Sequence, residues 1–284
     1  MSSCAEGFSK EYIAKYIAEF IGTAWLVLVI KLSVQYFDYP SLSIGLGLCA
    51  IIYTYGYVSK AHYNPSITVA FAIRDIPEWP RKAYVQIIMY FVSEYLGALA
   101  GGLIGWCIGG DVSGSVYPSV NRNFDNHPSG IILFRAFIAE LVFTFILASV
   151  ILSVATDKRQ SGNQYYGLAI GLTVTASINC IGKFTGSCLN SAVWFGCVIP
   201  ALIIDNNIDL SDAWIYWIAP FLGGIIAALL FNVVYGTYKI KDDKCDTQPL
   251  TCVVSSSNVS NLNGSAYEMR PIMGTSPINR ERTP

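Results

Sequence analysis

Charge is scarce in this sequence. Lys+Arg 18 and Asp+Glu 19 amount to 13% of the 284 residues, where a soluble domain carries roughly 25%. The few charges are also unevenly spread, since 27 lie in residues 1–240 and 10 in the last 44. Such a shortage argues against an ordinary soluble enzyme. It predicts that most of residues 1–240 face lipid.

Basic patches and cysteine motifs are absent as well. A net charge of −1 without a cluster of Lys and Arg argues against a nucleic-acid partner, whose phosphates must be neutralised. None of the eight cysteines forms a CxxC pair, and several lie in apolar runs, where a free thiol behaves as a small hydrophobe. We therefore expect no disulfide framework, no metal site and no cofactor. No phosphate loop or nucleophile–base pair indicates an enzyme.

Long uncharged runs, by contrast, are abundant. Four segments contain no Asp, Glu, Lys or Arg over at least the ~20 residues that cross a bilayer. These segments are 39–59, 160–182, 184–204 and 213–238. Three further apolar stretches hold one acid each, namely Glu19, Glu94 and Glu140. Because an acid inside a membrane is costly, each is expected to face a partner within a helix bundle.

Two apolar runs are too short or too interrupted to span. Asn64-Pro65 precedes an apolar stretch that ends at Arg74, and ten helical residues rise ~15 Å, half of a ~30 Å hydrocarbon core. Asn190-Ser191 breaks the run 184–204 in the same way. We predict an all-α membrane protein with six spanning helices and two half-helices. The helices are expected at about 12–32, 42–59, 83–108, 131–155, 165–182 and 212–236, and the half-helices at 65–74 and 191–200.

The chain contains an internal repeat, about 11–108 and 131–238. Three blocks recur at offsets of 121, 126 and 126, namely 18–23 and 139–144, 64–66 and 190–192, and 95–98 and 221–224. Three spanning helices per copy make the second copy insert upside down, an architecture that places a site at the bilayer midplane. The half-helices then meet at their N-termini, whose partial positive charges repel cations. The side-chain amides of Asn64 and Asn190 are predicted to donate hydrogen bonds to a neutral molecule there.

The charges near the helix ends predict an orientation. Eleven Lys and Arg fall on the side of the N-terminus and four on the other, and the side richer in Lys and Arg is normally cytoplasmic. No signal-peptide pattern precedes the first helix. Both termini are therefore expected in the cytoplasm, and the plasma membrane is expected rather than an internal, vacuolar one. Residues 1–240 are expected to form the pore domain and residues 241–284 a disordered cytoplasmic tail.

Several motifs in order resemble the aquaporin (major intrinsic protein) family over roughly residues 11–240. The blocks that carry the resemblance are Ala18-Glu19-Phe20-Ile21-Gly22-Thr23, His62-Tyr63-Asn64-Pro65-Ser66, Gly186-Ser187-Cys188-Leu189-Asn190-Ser191-Ala192 and Trp214-Ile215-Tyr216-Trp217. The resemblance implies a homotetramer in the lipid bilayer, with one pore per subunit. It also implies that Glu19, Glu140 and His62 brace the re-entrant loops. Glu94 departs from the family, which usually has Gln there.

The family's narrow selectivity filter maps onto Ile44, Ile178, Ser187 and Val193. In the family, the fixed positive charge of a pore Arg raises a barrier to cations and protons. Val193 replaces that Arg and so removes the charge. Branched aliphatic side chains leave little to replace the hydrogen bonds of passing water. This atypical filter predicts either a slow water pore or a pore for other cargo.

The loop 157–166, at the cytoplasmic mouth, is a candidate gate. It combines basic residues with Ser161, Tyr165 and Tyr166. Phosphorylation of Ser161 by a kinase changes the local charge by about −1.5 to −2. We expect that change to move one of the tyrosines away from the pore.

These observations predict a passive water channel, slow or gated by that loop. The aromatic pair Tyr216-Trp217 favours the water-channel branch of the family. A filter without Arg favours small neutral solutes instead, such as glycerol, urea, ammonia or hydrogen peroxide. A third hypothesis, from another class, is a non-conducting family member that acts as a scaffold or in adhesion.

Overall fold

The computed structural model describes residues 10–75 and 83–245, except the side chains of residues 83, 158 and 236–245. Within those residues the regular secondary structure is helical. The six long helices are α1 (Lys10–Tyr36), α2 (Pro40–Ser59), α4 (Ala83–Gly114), α5 (Ser129–Thr156), α6 (Tyr166–Thr185) and α8 (Ala213–Cys245). The two short helices are α3 (Pro65–Arg74) and α7 (Ser191–Ile204), and a 3-10 turn covers Lys158–Gln160.

The six long helices are the membrane-spanning elements. Each contains a segment long and apolar enough to cross a bilayer. Their outward faces carry exposed apolar side chains such as Ile17, Leu103 and Leu222, which suit contact with lipid tails. The predicted all-α fold with six spanning helices and two half-helices is confirmed, and the protein is a multi-pass integral membrane protein.

Several helices extend further than the apolar runs predicted. Helix α1 continues to Tyr36 rather than to about residue 32, and α4 continues to Gly114 rather than 108. The extension of α4 contains a break at Gly110, where φ is 65° and ψ is −166°. Glycine tolerates this left-handed backbone because it has no Cβ. Hydropathy alone underestimated these ends because helix geometry continues after the side chains become polar.

Helix α7 is four residues longer than predicted, because it continues through Pro200 to Ile204. Proline lacks the N–H that would bond the carbonyl four residues earlier, here the carbonyl of Gly196. That carbonyl lies against α4, where a Cβ at Gly102 would approach its oxygen to 1.9 Å. Close packing on α4 therefore holds the helix together across the proline.

Helices α1 and α4 pack backbone to backbone. A Cβ at Gly97 would lie 2.2 Å from the carbonyl oxygen of Phe20, and a Cβ at Gly101 would lie 2.2 Å from that of Ala24. Small residues at such crossings allow close van der Waals packing, which holds helices together in lipid. This contact fixes α1, and with it Glu19, against the centre of the bundle.

The chain divides into two units after Ile240. Of the second unit, residues 241–245 are described, and they are the last residues of α8. The helix thus continues five residues into the segment predicted as a disordered tail, where neither Gly nor Pro interrupts it. Residues 246–284 of that predicted tail lie outside the described residues.

Candidate functional site: a central pore

Two re-entrant loops lead into the half-helices and share one unusual backbone. Ala61 and Tyr63 have φ of 51° and 50°, and Ser187 and Leu189 have φ of 50° and 54°. The second pair follows the first at an offset of 126, so the repeat found in the sequence is also a repeat of backbone geometry. Left-handed φ costs roughly 1–3 kcal/mol at each such residue. The surrounding structure must therefore supply stabilising contacts.

Two buried acids supply those contacts. The carboxylate of Glu19 accepts the backbone N–H of His62 at 3.0 Å and that of Tyr63 at 2.7 Å. Glu140 accepts the corresponding N–H groups of Cys188 at 3.0 Å and Leu189 at 2.8 Å. Both acids are 0% exposed. Each carboxylate thus satisfies donors that no regular helix could pair.

The two asparagines cap the half-helices and link the two loops. The side-chain oxygen of Asn64 accepts the N–H of Ser66 at 2.9 Å, and its amide donates to the carbonyl of Leu189 at 2.9 Å. Asn190 caps Ala192 at 3.0 Å and donates to the carbonyl of Tyr63 at 2.8 Å. A side-chain amide has two N–H donors. One donor of each asparagine is therefore left for a molecule in the pore.

A cavity of about 720 Å³ contains both asparagines in its wall. We call the face with residues 37–39, 115–128 and 205–212 the outer face, following the orientation predicted from the charges, and the opposite one the inner face. From the outer face the cavity passes Tyr117 and Lys183, reaches the asparagines, and continues to Ile151 and Ile170 in the inner half. The arrangement is a pore wall that extends past the midplane.

All four predicted filter residues line this same cavity, namely Ile44, Ile178, Ser187 and Val193. Ile44 and Val193 are buried, at 4% and 3% exposure. The Ser187 hydroxyl has no hydrogen-bond partner among the described residues. The predicted filter therefore presents apolar surface, and the Ser187 hydroxyl beside it is buried and unpaired among those residues. Its role in selectivity stays a prediction.

His62 and Glu94 belong to one buried hydrogen-bond chain. The Thr68 hydroxyl donates to Glu94 Oε1 at 2.6 Å, and Thr68 Oγ1 also lies 2.9 Å from His62 Nδ1. Since the hydroxyl hydrogen is already used, Nδ1 must carry the proton and donate to Thr68. His62 also packs against the ring of Phe71, with centroids 4.2 Å apart. This geometry suits the predicted brace and links the first loop to α4.

The candidate gate residues lie near the inner end but outside the cavity wall. Tyr166 is one helical turn before Ile170 and packs edge-on against Tyr53, with ring centroids 5.1 Å apart. Tyr165 is 52% exposed and donates to Gln160, and Ser161 is exposed. No described contact places these tyrosines as a plug in the pore, and the gate stays a prediction.

The loop itself is held by residues that the sequence analysis did not single out. Gln160 donates to Ser153 at 3.0 Å, and Asn163 donates to the carbonyl of Val154 at 2.8 Å. Hydrogen bonds from the Arg159 guanidinium lower the pKa of Asp157. Polar side chains near helix ends are too common in sequences to have indicated these ties.

Lys31 does not lie where the charge pattern predicts. The pattern places it among the four Lys and Arg near the outer helix ends, but the longer α1 buries it, at 0% exposure. Its Nζ donates to three backbone carbonyls. A lone Lys inside an apolar run was the available signal. Within the described residues, no three His, Cys, Asp or Glu side chains are grouped so as to hold a metal ion.

Comparison with known proteins agrees with this geometry. The family model described as Major intrinsic protein matches residues 6–231. The chain belongs to the major intrinsic protein family. Nodulin-26 of Glycine max is 32% identical over 241 residues, which cover 81% of this chain and 81% of that protein. Aquaporin NIP1-1 of Arabidopsis thaliana is 33% identical over 240 residues, 81% of this chain and 77% of its own.

A solved structure shows the same fold. The aquaglyceroporin from Plasmodium falciparum aligns with a TM-score of 0.66 and 24% identity, covering 80% of this chain and 98% of that one. The aquaporin resemblance seen in the motifs is thus confirmed. As a major intrinsic protein, the chain is a member of a family of passive channels in the lipid bilayer.

Proposed function

We propose that this chain is a passive channel for small uncharged molecules, and that its filter favours solutes with carbon surface over water. The observation that carries the proposal is the composition of one continuous cavity wall. Ile44, Ile178 and Val193 line it beside Ser187, whose buried hydroxyl has no partner among the described residues. A solute such as glycerol or urea keeps favourable contact with apolar walls, whereas water loses hydrogen bonds there.

The centre of the pore supports uncharged cargo. The N-termini of α3 and α7 both start at the asparagines, and each carries about half a positive charge. Cations are repelled at that point. The remaining amide donors of Asn64 and Asn190 suit hydroxyl or carbonyl oxygens of a neutral molecule.

Water is the second candidate cargo. The hydroxyl of Tyr216, in the aromatic pair that favours the water branch, donates to the carbonyl of Thr185 at 2.7 Å. It thereby stabilises the outer end of α6 next to the filter loop. Relatives named aquaporins also support this candidate. Flow is then expected to be slow, since the filter offers water few partners.

The setting of the channel is part of the proposal. We infer a homotetramer with one pore per subunit, both termini in the cytoplasm, and residence in the plasma membrane rather than a vacuolar one. The family membership supports the tetramer, and the Lys and Arg distribution supports the orientation. A kinase that modifies Ser161 remains the proposed regulator of the loop 157–166.

The test is stopped-flow light scattering on proteoliposomes of the full-length protein. An impermeant osmotic gradient reports water flux, and glycerol and urea gradients report solute flux. Protein-free vesicles are the baseline, and a variant without Gln160–Gln164 tests whether the loop closes the pore. Fast glycerol or urea entry with slow water flux supports the proposal. Fast water flux without solute entry favours the water channel, and no flux in either protein favours the scaffold hypothesis.

A further inference from the structure

Lys31 is a buried cation in the outer half of α1. Its side chain is 0% exposed. Its Nζ donates to the carbonyl of Gly114 at 2.6 Å, of Val116 at 2.8 Å and of Cys197 at 3.1 Å. An ammonium group has three N–H donors, whereas a neutral amine has two and a lone pair. Three carbonyl acceptors therefore fit the charged form.

No acid neutralises this charge in the described part of the chain. The ion pairs found among residues 10–75 and 83–245 do not include Lys31. Three carbonyl dipoles offset part of the cost of burial, but they leave the net positive charge in place. A buried charge of this kind is screened by salt much less than an exposed one.

The charge lies directly behind the outer wall of the pore. Val116, whose carbonyl accepts from Lys31, lines the cavity beside the filter. Cys197 follows Val193 by four residues on α7, which is about 6 Å further outward along the helix. Room for the side chain comes from Gly105, where a Cβ would approach the Cβ of Lys31 to 2.8 Å. Lys31 thus joins the outer segment of the wall to the helix that carries Val193.

We propose that Lys31 supplies the fixed positive charge that excludes cations from the outer half of the pore. Val193, at the filter, is uncharged and cannot do so. The proposal rests on the channel function proposed above. A unit charge in a medium of low dielectric acts on an ion over many ångströms, so it need not touch the cargo. At the corresponding position of the inner half, 121 residues later, lies the fully buried and uncharged Leu152.

The test measures three fluxes, of glycerol, water and protons, on the same proteoliposomes of the full-length protein. Stopped-flow scattering reports glycerol and water, and an entrapped pH dye reports proton leak under a potassium diffusion potential. Two substitutions remove the charge: Lys31→Gln keeps N–H donors for the carbonyls, and Lys31→Met keeps only the length. Because the charge of Lys31, rather than its hydrogen bonds to the three carbonyls, sets the barrier, both substitutions should raise proton leak about tenfold or more. Glycerol flux should stay within about twofold, since the wall residues are unchanged.

A second pair of variants leaves Lys31 in place. Val116→Glu puts a carboxylate in the wall beside the ammonium and should raise proton leak as Lys31→Gln does, whereas Val116→Gln should not. If the Lys31 variants fail to fold, an unchanged proton leak in Val116→Glu still overturns the proposal. Unchanged leak in Lys31→Gln and Val116→Glu, with normal glycerol flux, overturns the proposal for Lys31 alone. A raised proton leak in Lys31→Met but not in Lys31→Gln also overturns the proposal, because the hydrogen bonds to the carbonyls, and not the charge, would then set the barrier. No glycerol or water flux in the wild type contradicts the channel function itself.

Discussion

The outer and inner halves of the pore wall are built from corresponding positions of the two repeats, and they differ in chemistry. Each filter residue has a counterpart 126 positions away that lines the same cavity. The pairs are Ile44 with Ile170, Ile178 with Ile52, Ser187 with Ala61, and Val193 with Ile67. The inner ring therefore lacks the hydroxyl of the outer one. The buried charge of Lys31 likewise has only Leu152 as its counterpart.

This comparison identifies two rings of aliphatic side chains, one in each half of the pore wall. Rings of aliphatic side chains resist water because it finds no hydrogen-bond partners there. A neutral solute with carbon surface crosses both rings at lower cost. The duplicated frame thus positions the pore wall, and the residues that differ between the halves are the candidates for its selectivity. Four substitution experiments test this division, from the largest expected effect to the smallest.

The shared frame should be equally vulnerable in both halves. Glu19→Gln and Glu140→Gln each replace a carboxylate oxygen by an NH₂ group that faces backbone N–H donors. Each variant should lose about 2 kcal/mol or more of stability, because buried donors are left unpaired. Thermal unfolding in detergent measures this loss. Glu11→Gln, at an exposed position on the same helix α1, is the control and should leave the unfolding temperature unchanged. A large loss in one half only would show that the two braces are not equivalent.

A positive charge at the filter should increase the difference in selectivity between the outer and inner rings. Val193→Arg narrows the outer ring and adds polar hydrogens, so glycerol flux should fall about tenfold while water flux falls less. Stopped-flow entry of glycerol measures the change. The control Val193→Ile adds size without charge and should change flux by less than about twofold. Equal losses in both variants would mean that size alone limits the solute. Unchanged flux in Val193→Arg would show that Val193 does not line the narrowest point.

Exchange of the single hydroxyl should exchange the character of the two rings. Ser187 and Ala61 share a left-handed backbone with φ near 50°, so the swap adds no new strain. Ser187→Ala should lower water flux about fivefold, since one net hydrogen bond is worth about 1 kcal/mol. Ala61→Ser should raise it by a similar factor. The double variant should return towards the wild-type rate, and a double variant as slow as Ser187→Ala would show that the outer ring alone controls water.

Much of this pore was predictable from residue pattern, because periodic features repeat. The asparagines and acids recur at fixed offsets, and their hydrogen bonds follow from the need to satisfy buried backbone groups. The inner ring of aliphatic residues follows from the same repeat offset of 126. It could not be predicted, because the sequence does not show which residues face the cavity. Lys31 was misplaced because hydropathy does not report how far α1 continues. The break at Gly110 and the extension of α7 past Pro200 depend on tertiary packing, which no local pattern contains.

The smallest change in flux is expected from a substitution in the loop between the first two long helices of the second repeat, which is longer than its counterpart in the first repeat. Helices α1 and α2 are joined by residues 37–39, whereas α5 and α6 are joined by residues 157–165. Ser161→Glu adds a negative charge beside Arg159, which now bonds Asp157 at 2.8 Å. This competition should loosen the loop and raise water flux about twofold at most, because Tyr166 lies one turn beyond the cavity wall and its movement acts indirectly. Ser161→Ala is the matched control and should keep the wild-type rate. If both variants conduct alike while removal of Gln160–Gln164 opens the pore, the gate depends on the hydrogen bonds of Gln160 and Asn163 and not on charge at Ser161.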